Sequence, residues 1–244
     1  MSATAPLTSR AEPASDVLVA PRTAATPHPR STRPRMLVVL DVDSTLIEDE
    51  AIELLAAEAG SLDDVRAVTE RAMRGELDFA DSLRSRVATL AGLPVAVHDV
   101  VGARIRVTPG AERMVEGLHA AGHVVAVVSG GFHELLDPLA ARLGLDRWRA
   151  NRLEVRDGRL TGRVSGPVVD AAAKRAAVEE WSAELGIPLA RVVAVGDGAN
   201  DLEMMAVAGL AVAFDAKPAV RRRADVCVDR RDLAQVLALV GLPR

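Results

Sequence analysis

Asp41-Val42-Asp43-Ser44-Thr45 places two carboxylates two residues apart, directly after the apolar run Met36 to Leu40. In extended backbone residues i and i+2 point the same way, so one carboxylate can attack while the other handles a proton. A carboxylate nucleophile suits phosphoryl transfer, because the acyl phosphate it forms hydrolyses in a separate step. The transferred group is anionic, so two carboxylates facing it need a cation. A hard Mg2+, held by one or two carboxylates and by substrate phosphate, meets that need. Asp197 offers a third oxygen; Asp201 offers either a further ligand or a carboxylate that holds the metal's waters. Ser129 and the backbone N–H groups of the glycine turn after it are donors for phosphate at a helix entrance. Lys174 adds a compact positive charge, and Asn200 an amide donor.

Taken singly, each of these is ordinary. Asp-x-Asp after an apolar run is more often a solvated loop, Ser-Gly-Gly a turn, a lysine on an alanine-rich helix a surface charge. The composition weighs against that reading. Of 30 basic residues only Lys174 and Lys217 are lysines, the only asparagines are Asn151 and Asn200, and tyrosine is absent. Where lysine or asparagine survives so strong a bias, a specific chemical need is the better explanation, and Lys174 and Asn200 are cases of it.

Three apolar runs can carry these groups: Met36 to Leu40, His123 to Val128 and Arg191 to Val195, with Asp41, Ser129 and Asp197 just beyond their ends. Leu210 to Phe214 and a short run near Val226 to Val228 read as further strands. Helical patterns lie between them at Gly110 to Ala121, Glu134 to Leu143, Ala172 to Leu185, Asp201 to Ala208 and Asp232 to Val240. Strands alternating with helices imply an α/β fold, a parallel sheet with helices on both faces, whose ligands collect at the carboxyl ends of strands. Residues 49–100 hold several helical patterns and no good strand, and are expected to form a helical cap subdomain inserted after the first strand. The catalytic core is then 36–48 with 101–244. Arg147 to Val164 reads as a hairpin turning at Asp157-Gly158. Residues 1–35 hold six of the thirteen prolines and show no period, so a disordered leader is expected.

The formal charge of −4 gives no reason to expect nucleic acid or an anionic membrane surface, and no apolar run is long enough to span a bilayer. A lone cysteine, Cys227, cannot form an internal disulfide, so a cytoplasmic location is expected.

The sequence resembles the haloacid dehalogenase superfamily of phosphatases. Asp41-Val-Asp-Ser-Thr is similar to its first motif, Ser129 to its second, Lys174 to its third and Gly196-Asp-Gly-Ala-Asn-Asp201 to its fourth. Over about residues 36 to 240 it resembles phosphoserine phosphatases, through Glu50, Met73, Gly75, Phe79 and Ser82 to Val87, and through Asn151 to Val155, Asp157 to Gly162 and Ala216-Lys217-Pro218. The resemblance implies a Rossmann-like core with a helical cap, Mg2+ as cofactor and phosphoserine as substrate. It implies Asp41 as nucleophile and Asp43 as general acid, then base, with Mg2+ held by Asp41, the Asp43 backbone carbonyl and Asp197. Ser129, Gly130, Lys174 and Asn200 would bind phosphate. Glu50 would meet the substrate ammonium and Arg86 its carboxylate, with Met73 and Phe79 lining the lid. Arg84 competes with Arg86 for that role, and motif position favours Arg86. With about 35 residues before the first strand, feedback through an attached regulatory domain is not expected.

Rival readings remain at this level: transfer from Asp41 to an alcohol such as homoserine, action on another small phosphate, or a binding protein on an inactive phosphatase fold. The last is disfavoured because Asp41, Asp43, Lys174 and Asp197 are all present.

Overall fold

The computed structural model describes residues 18–19, 34–73 and 76–243. Apart from Leu18–Val19, Pro34 and Arg35, the expected leader lies outside the described residues, as does Gly75. Leu18–Val19 form β1, paired antiparallel with Arg147 and Trp148.

Leu37–Leu40 (β2) is a run of Leu and Val buried on both sides, and such a strand is stable only at the centre of a sheet. It pairs in parallel with Val124–Phe132 (β3) on one side and Val192–Gly196 (β6) on the other, Leu40 lying opposite Val127 and Val195. Beyond β3 lies Arg147–Arg156 (β4), and beyond β6 lie Leu210–Phe214 (β7) and Val226–Val228 (β8), all parallel. Arg159–Ser165 (β5) returns antiparallel on β4 through the Asp157-Gly158 turn, where both residues hold positive φ. The order is β1-β4-β3-β2-β6-β7-β8, so the crossing reverses at β2.

The period of two sorts the strand residues onto two faces. Val38, Leu40, Val125, Val127, Val193 and Val195 pack under Ala111–Ala120 (α5), His133–Leu143 (α6) and Gln235–Leu239 (α10). Leu37, Val39, Val124, Ala126, Val192 and Ala194 pack under Ala171–Leu185 (α7), Leu202–Val207 (α8) and Pro218–Arg221 (α9). Full burial of each Val or Leu contributes about 1.5–3 kcal/mol, so every strand fixes both layers. The α/β expectation, with helices on both faces, holds.

Directly after β2 come Ala51–Ala59 (α1), Leu62–Met73 (α2), Phe79–Ala88 (α3) and Val97–Gly102 (α4). These helices share a third core with Phe132 and Leu135 of the main body and with Leu153 and Leu160 of the hairpin. The hairpin is therefore packed into the helical insert: Gly92 and Leu93 exchange backbone hydrogen bonds with Leu160.

Three expectations are corrected. Ser129-Gly130-Gly131 is not a turn: β3 runs on to Phe132, with a register irregularity after Val128. The final helix is Gln235–Leu239 and not 232–240, because residues 229–234 turn beneath it. Residues 42–46 leave β2 not as continuous extended chain but as a wide turn closed by Ile47 N–H on Val42 O, within which Asp43 keeps extended dihedrals and Ser44 is left-handed.

Gly162 shows how closely hairpin and insert approach. Its φ is +80°, and a Cβ there would lie 3.0 Å from Ala91 Cβ and 3.1 Å from the Ala88 carbonyl oxygen. Gly162→Val should therefore lower stability by about 2 kcal/mol or more in urea titration. An unchanged midpoint would show that the insert is not clamped by the hairpin.

Candidate active site

The Asp41 N–H donates to Val195 O at 2.9 Å, extending the ladder one residue past β2 before the chain turns. Although the turn replaces extended backbone, Asp41 and Asp43 still face one cavity of about 450 Å³. Glu50, Phe79, Arg86, Gly130, Asp197 and Asn200 line the same cavity. Beneath Asp41 lies Lys174, fully buried, with Nζ 2.6 Å from Asp41 Oδ1 and 2.8 Å from Asp201 Oδ1. Its place is set by α7, which starts at Asp170, whose carboxylate accepts from Ala173 N. Asp201 Oδ2 accepts from Gly198 N at 3.0 Å, so Asp201 holds both Lys174 and the loop that carries Asp197.

Asp43 is fixed differently. Its Oδ1 accepts from Ala51 N, at the start of α1, at 2.7 Å, and its Oδ2 from Ser129 Oγ at 3.2 Å. Ser129 Oγ also accepts from Gly131 N, so here the serine hydroxyl is engaged with Asp43. Val42 N and Lys174 both bond Asp41 through Oδ1, which leaves Oδ2 as the oxygen able to act in the cavity.

Burial dominates the electrostatics. It pushes Asp41 well above the usual carboxylate range; Asp201 adds to this and Lys174 opposes it. Burial and then Glu50 push Asp43 up to about 7 against the stabilising N–H of Ala51. Burial likewise raises Asp197 to about 6, partly offset by Lys217. Burial alone would lower Lys174, but Asp201 and Asp41 outweigh it and hold the ammonium above its usual value. Arg86 is lowered by burial, an effect partly relieved by Glu50.

Asp41, Asp197 and Asp201 can each bring one oxygen within 4.8 Å of the others. One buried ammonium against three buried carboxylates leaves excess negative charge, which adds to burial in raising Asp41 and Asp197. An all-oxygen donor set with that excess fits a hard divalent cation. Both Asp201 oxygens are already bonded, to Lys174 and Gly198, so Asp41 and Asp197 are the better-placed donors. The Asp43 carboxylate turns to Ala51 and Ser129, so any share it has in the metal falls to its backbone carbonyl.

Arg86 lines the same cavity, while Arg84 pairs with Asp81 at the exposed surface. That geometry favours Arg86 of the two. Glu50 Oε1 accepts from Ser44 Oγ at 2.7 Å. The Phe79 ring sits over Gly130, where a Cβ would come within 2.8 Å of it. Met73 closes α2, but its side chain lies outside the described residues.

Sequence reasoning gave Lys217, Asn151 and Ser44 no role of their own, though all three lie in stretches that carry the resemblance. Lys217 lines the cavity with Nζ 3.5 Å from Asp197 Oδ2. Asn151 donates to Gly130 O and accepts from Val169 N, both at 2.8 Å, and so ties β3 and β4 to the segment before α7 beside the cavity. The signal was in hand: all four surviving Lys and Asn residues stand at or against this cavity. Among the described residues no helix is long and apolar enough to cross a membrane.

Residues 38–206 match the haloacid dehalogenase-like hydrolase family, and the chain belongs to it. Its curated relatives there include phosphoserine phosphatases. It is 54% identical over 212 residues to the phosphoserine phosphatase of Streptomyces coelicolor, covering 87% of this chain and 52% of that one. To that of Streptococcus thermophilus it is 50% identical over 204 residues, covering 84% and 95%. The chain thus spans about half the length of the first relative and nearly all of the second. A substrate-bound phosphoserine phosphatase structure superposes with a TM-score of 0.81 at 44% identity, covering 85% of this chain and 99% of that one.

Replacing Lys174 by Met should strand two buried carboxylates and cost about 3–5 kcal/mol in chemical denaturation. A loss below about 1 kcal/mol would mean that solvent or a cation already satisfies Asp41 and Asp201.

Proposed function

We propose that this chain hydrolyses O-phospho-L-serine to L-serine and phosphate through an aspartyl-phosphate on Asp41. The observation that carries the reading is the Lys174-paired carboxylate of Asp41 in a cavity that Glu50 and Arg86 also line. Residues 36–48 and 101–244 are the catalytic core and 49–100 the cap that closes over it.

Asp41 Oδ2 attacks phosphorus, forming the acyl phosphate as the bond to the serine oxygen breaks. Asp43, poised near 7, gives its proton to that departing oxygen. It then takes a proton from the water that attacks the phosphorus, which frees Asp41 and releases phosphate. Lys174 balances charge on Asp41, while Ser129, Gly130 and Asn200 donate to phosphate oxygens, Ser129 exchanging its bond to Asp43 for one to substrate. Mg2+, held by Asp41, Asp197 and the Asp43 carbonyl, with Asp201 steadying the loop, would neutralise phosphate charge that these donors leave uncompensated. Glu50 receives the ammonium and Arg86 the carboxylate, a planar guanidinium being suited to two-pronged pairing. Phe79 lines the lid and excludes water during transfer. The exposed thiol of Cys227 suits a reducing cytoplasm.

The test is phosphate release from L-phosphoserine with Mg2+ or chelator, beside an aryl phosphate and with homoserine added. Mg2+-dependent release confined to phosphoserine is expected. Release from the aryl phosphate alone would discard the cap assignments, and phosphohomoserine in place of free phosphate would make the chain a transferase. Asp41→Asn should cut turnover by about a thousandfold or more with the fold intact by circular dichroism. Arg86→Ala should lower kcat/KM for phosphoserine by about 30-fold or more, and for the aryl phosphate by less than about threefold. Equal losses would remove Arg86 as the carboxylate clamp. Mg2+ should also raise the melting temperature, a shift that Asp197→Asn abolishes; an unchanged shift would place the cation elsewhere.

A further inference from the structure

Among the described residues, Ser44, Asp157 and Asp215 are the non-glycine positions with left-handed backbone, at φ of 56°, 51° and 43°. Asp157 belongs to the two-residue hairpin turn, which demands that conformation. Ser44 and Asp215 stand elsewhere: Ser44 inside the loop that follows Asp41 and Asp43, Asp215 one residue beyond the tip of β7. Left-handed backbone is unfavourable for residues carrying a Cβ and persists where surrounding contacts over-determine it.

One guanidinium meets both of these residues. Arg231 Nη1 lies 3.0 Å from Asp215 Oδ2, while Nη2 donates to Ser44 O at 3.0 Å and to Ile47 O at 3.5 Å. Arg231 comes from the turn before α10, 187 residues from Ser44 in sequence. Beyond Ser44 the contacts continue into the cavity, because Ser44 Oγ donates to Glu50 Oε1 at 2.7 Å. As a half-exposed ion pair, Arg231 with Asp215 would contribute little. The bonds to two carbonyls of the nucleophile loop are what set this arginine apart.

We propose that Arg231 is a positioning residue for substrate recognition. Anchored on Asp215, its planar fork holds the Ser44 backbone in the left-handed conformation that aims Ser44 Oγ at Glu50, and so orients the carboxylate that receives the substrate ammonium. The proposal rests on phosphoserine being the substrate. A lysine at 231 could reach one of these partners but could not span them with two fixed donors.

Steady-state kinetics on L-phosphoserine and on an aryl phosphate, which lacks the ammonium, test the relay in Arg231→Met, Arg231→Lys, Ser44→Ala and the double variant Arg231→Met/Ser44→Ala. Expected is a KM for phosphoserine raised about tenfold or more in Arg231→Met, with the aryl phosphate KM changed less than about twofold. Arg231→Lys should recover little, Ser44→Ala should reproduce the selective loss, and the double variant should be no worse than the worse single one. Additive losses, or equal losses on both substrates, would overturn the relay. So would a lowered melting temperature in Arg231→Met with both KM values unchanged, which marks a merely structural arginine. Should Arg231→Met not fold, Arg231→Lys and Ser44→Ala decide by the same comparison. Wild-type protein inactive on phosphoserine would remove the substrate reading and the relay together, whereas active wild-type protein with indifferent variants removes the relay alone.

Discussion

Lys174 has no access to solvent, and its burial is tolerable because two carboxylates lie within 2.8 Å of its ammonium. Each of those carboxylates belongs to a different strand tip. Asp41 continues β2, and Asp201 follows β6 and holds the Gly198 N–H of the intervening loop. The ammonium therefore joins three chain segments, α7 and two loops, at one point. Removing a partner from such a group leaves an uncompensated buried charge, so the three segments hold their relative positions or the local structure fails. The catalytic geometry is in this sense a by-product of electrostatic closure beneath the floor of the cavity.

That closure is incomplete by design of the charge count. The floor carries more carboxylate than ammonium, and burial makes that excess costly, which is why Asp41, Asp43 and Asp197 are all raised. A fully neutral floor would be more stable but would offer nothing to a cation. The reversal of strand order at β2 supplies the remaining ingredient, since chains leaving β2, β3 and β6 diverge there and open a crevice between them. The insert that follows β2 roofs this crevice, and the β4–β5 hairpin, packed into the insert's own core, braces the roof from the main body.

Much of this was legible in the sequence because it rests on strong local signals. Continuous Val and Leu runs can be little other than central strands, and Asp41, Asp43 and Asp197 stand beside them in motifs whose spacing is informative. What escaped was set by backbone departures that carry no periodic signature. Nothing in Ser129-Gly130-Gly131 announces that the strand runs through it, since glycines serve turns and close approaches alike; the approach of Phe79 to Gly130 decides the matter. Asp41 to Asp43 read as extended because alternation is the simplest geometry for two carboxylates on one side. The wide turn reaches the same result by another path, and brings Ser44 to Glu50 as well. Asn151 and Lys217 escaped for a different reason. The compositional argument singled out rare lysines and asparagines, and applied evenly it would have flagged all four.

The two parts of the site obey different physical rules. On the core side, charges are buried, paired and spaced by strand register, so their positions are stiff. On the insert side, Glu50 and Arg86 meet a cavity open to water, and Glu50 takes its direction from Ser44 in a loop of strained backbone. On the proposed reading, stiffness where phosphorus would react and compliance where the amino-acid end would be recognised are compatible because the loop after β2 belongs to both. It begins in the β2 ladder at Asp41 and ends at α1, where the Ala51 N–H fixes Asp43. A movement of α1 with the insert would thus be felt first by Asp43, the proposed proton carrier, and last by Asp41, which the ladder and Lys174 hold. In the proposed reaction, closure over substrate can therefore tune proton transfer by Asp43 without disturbing Asp41.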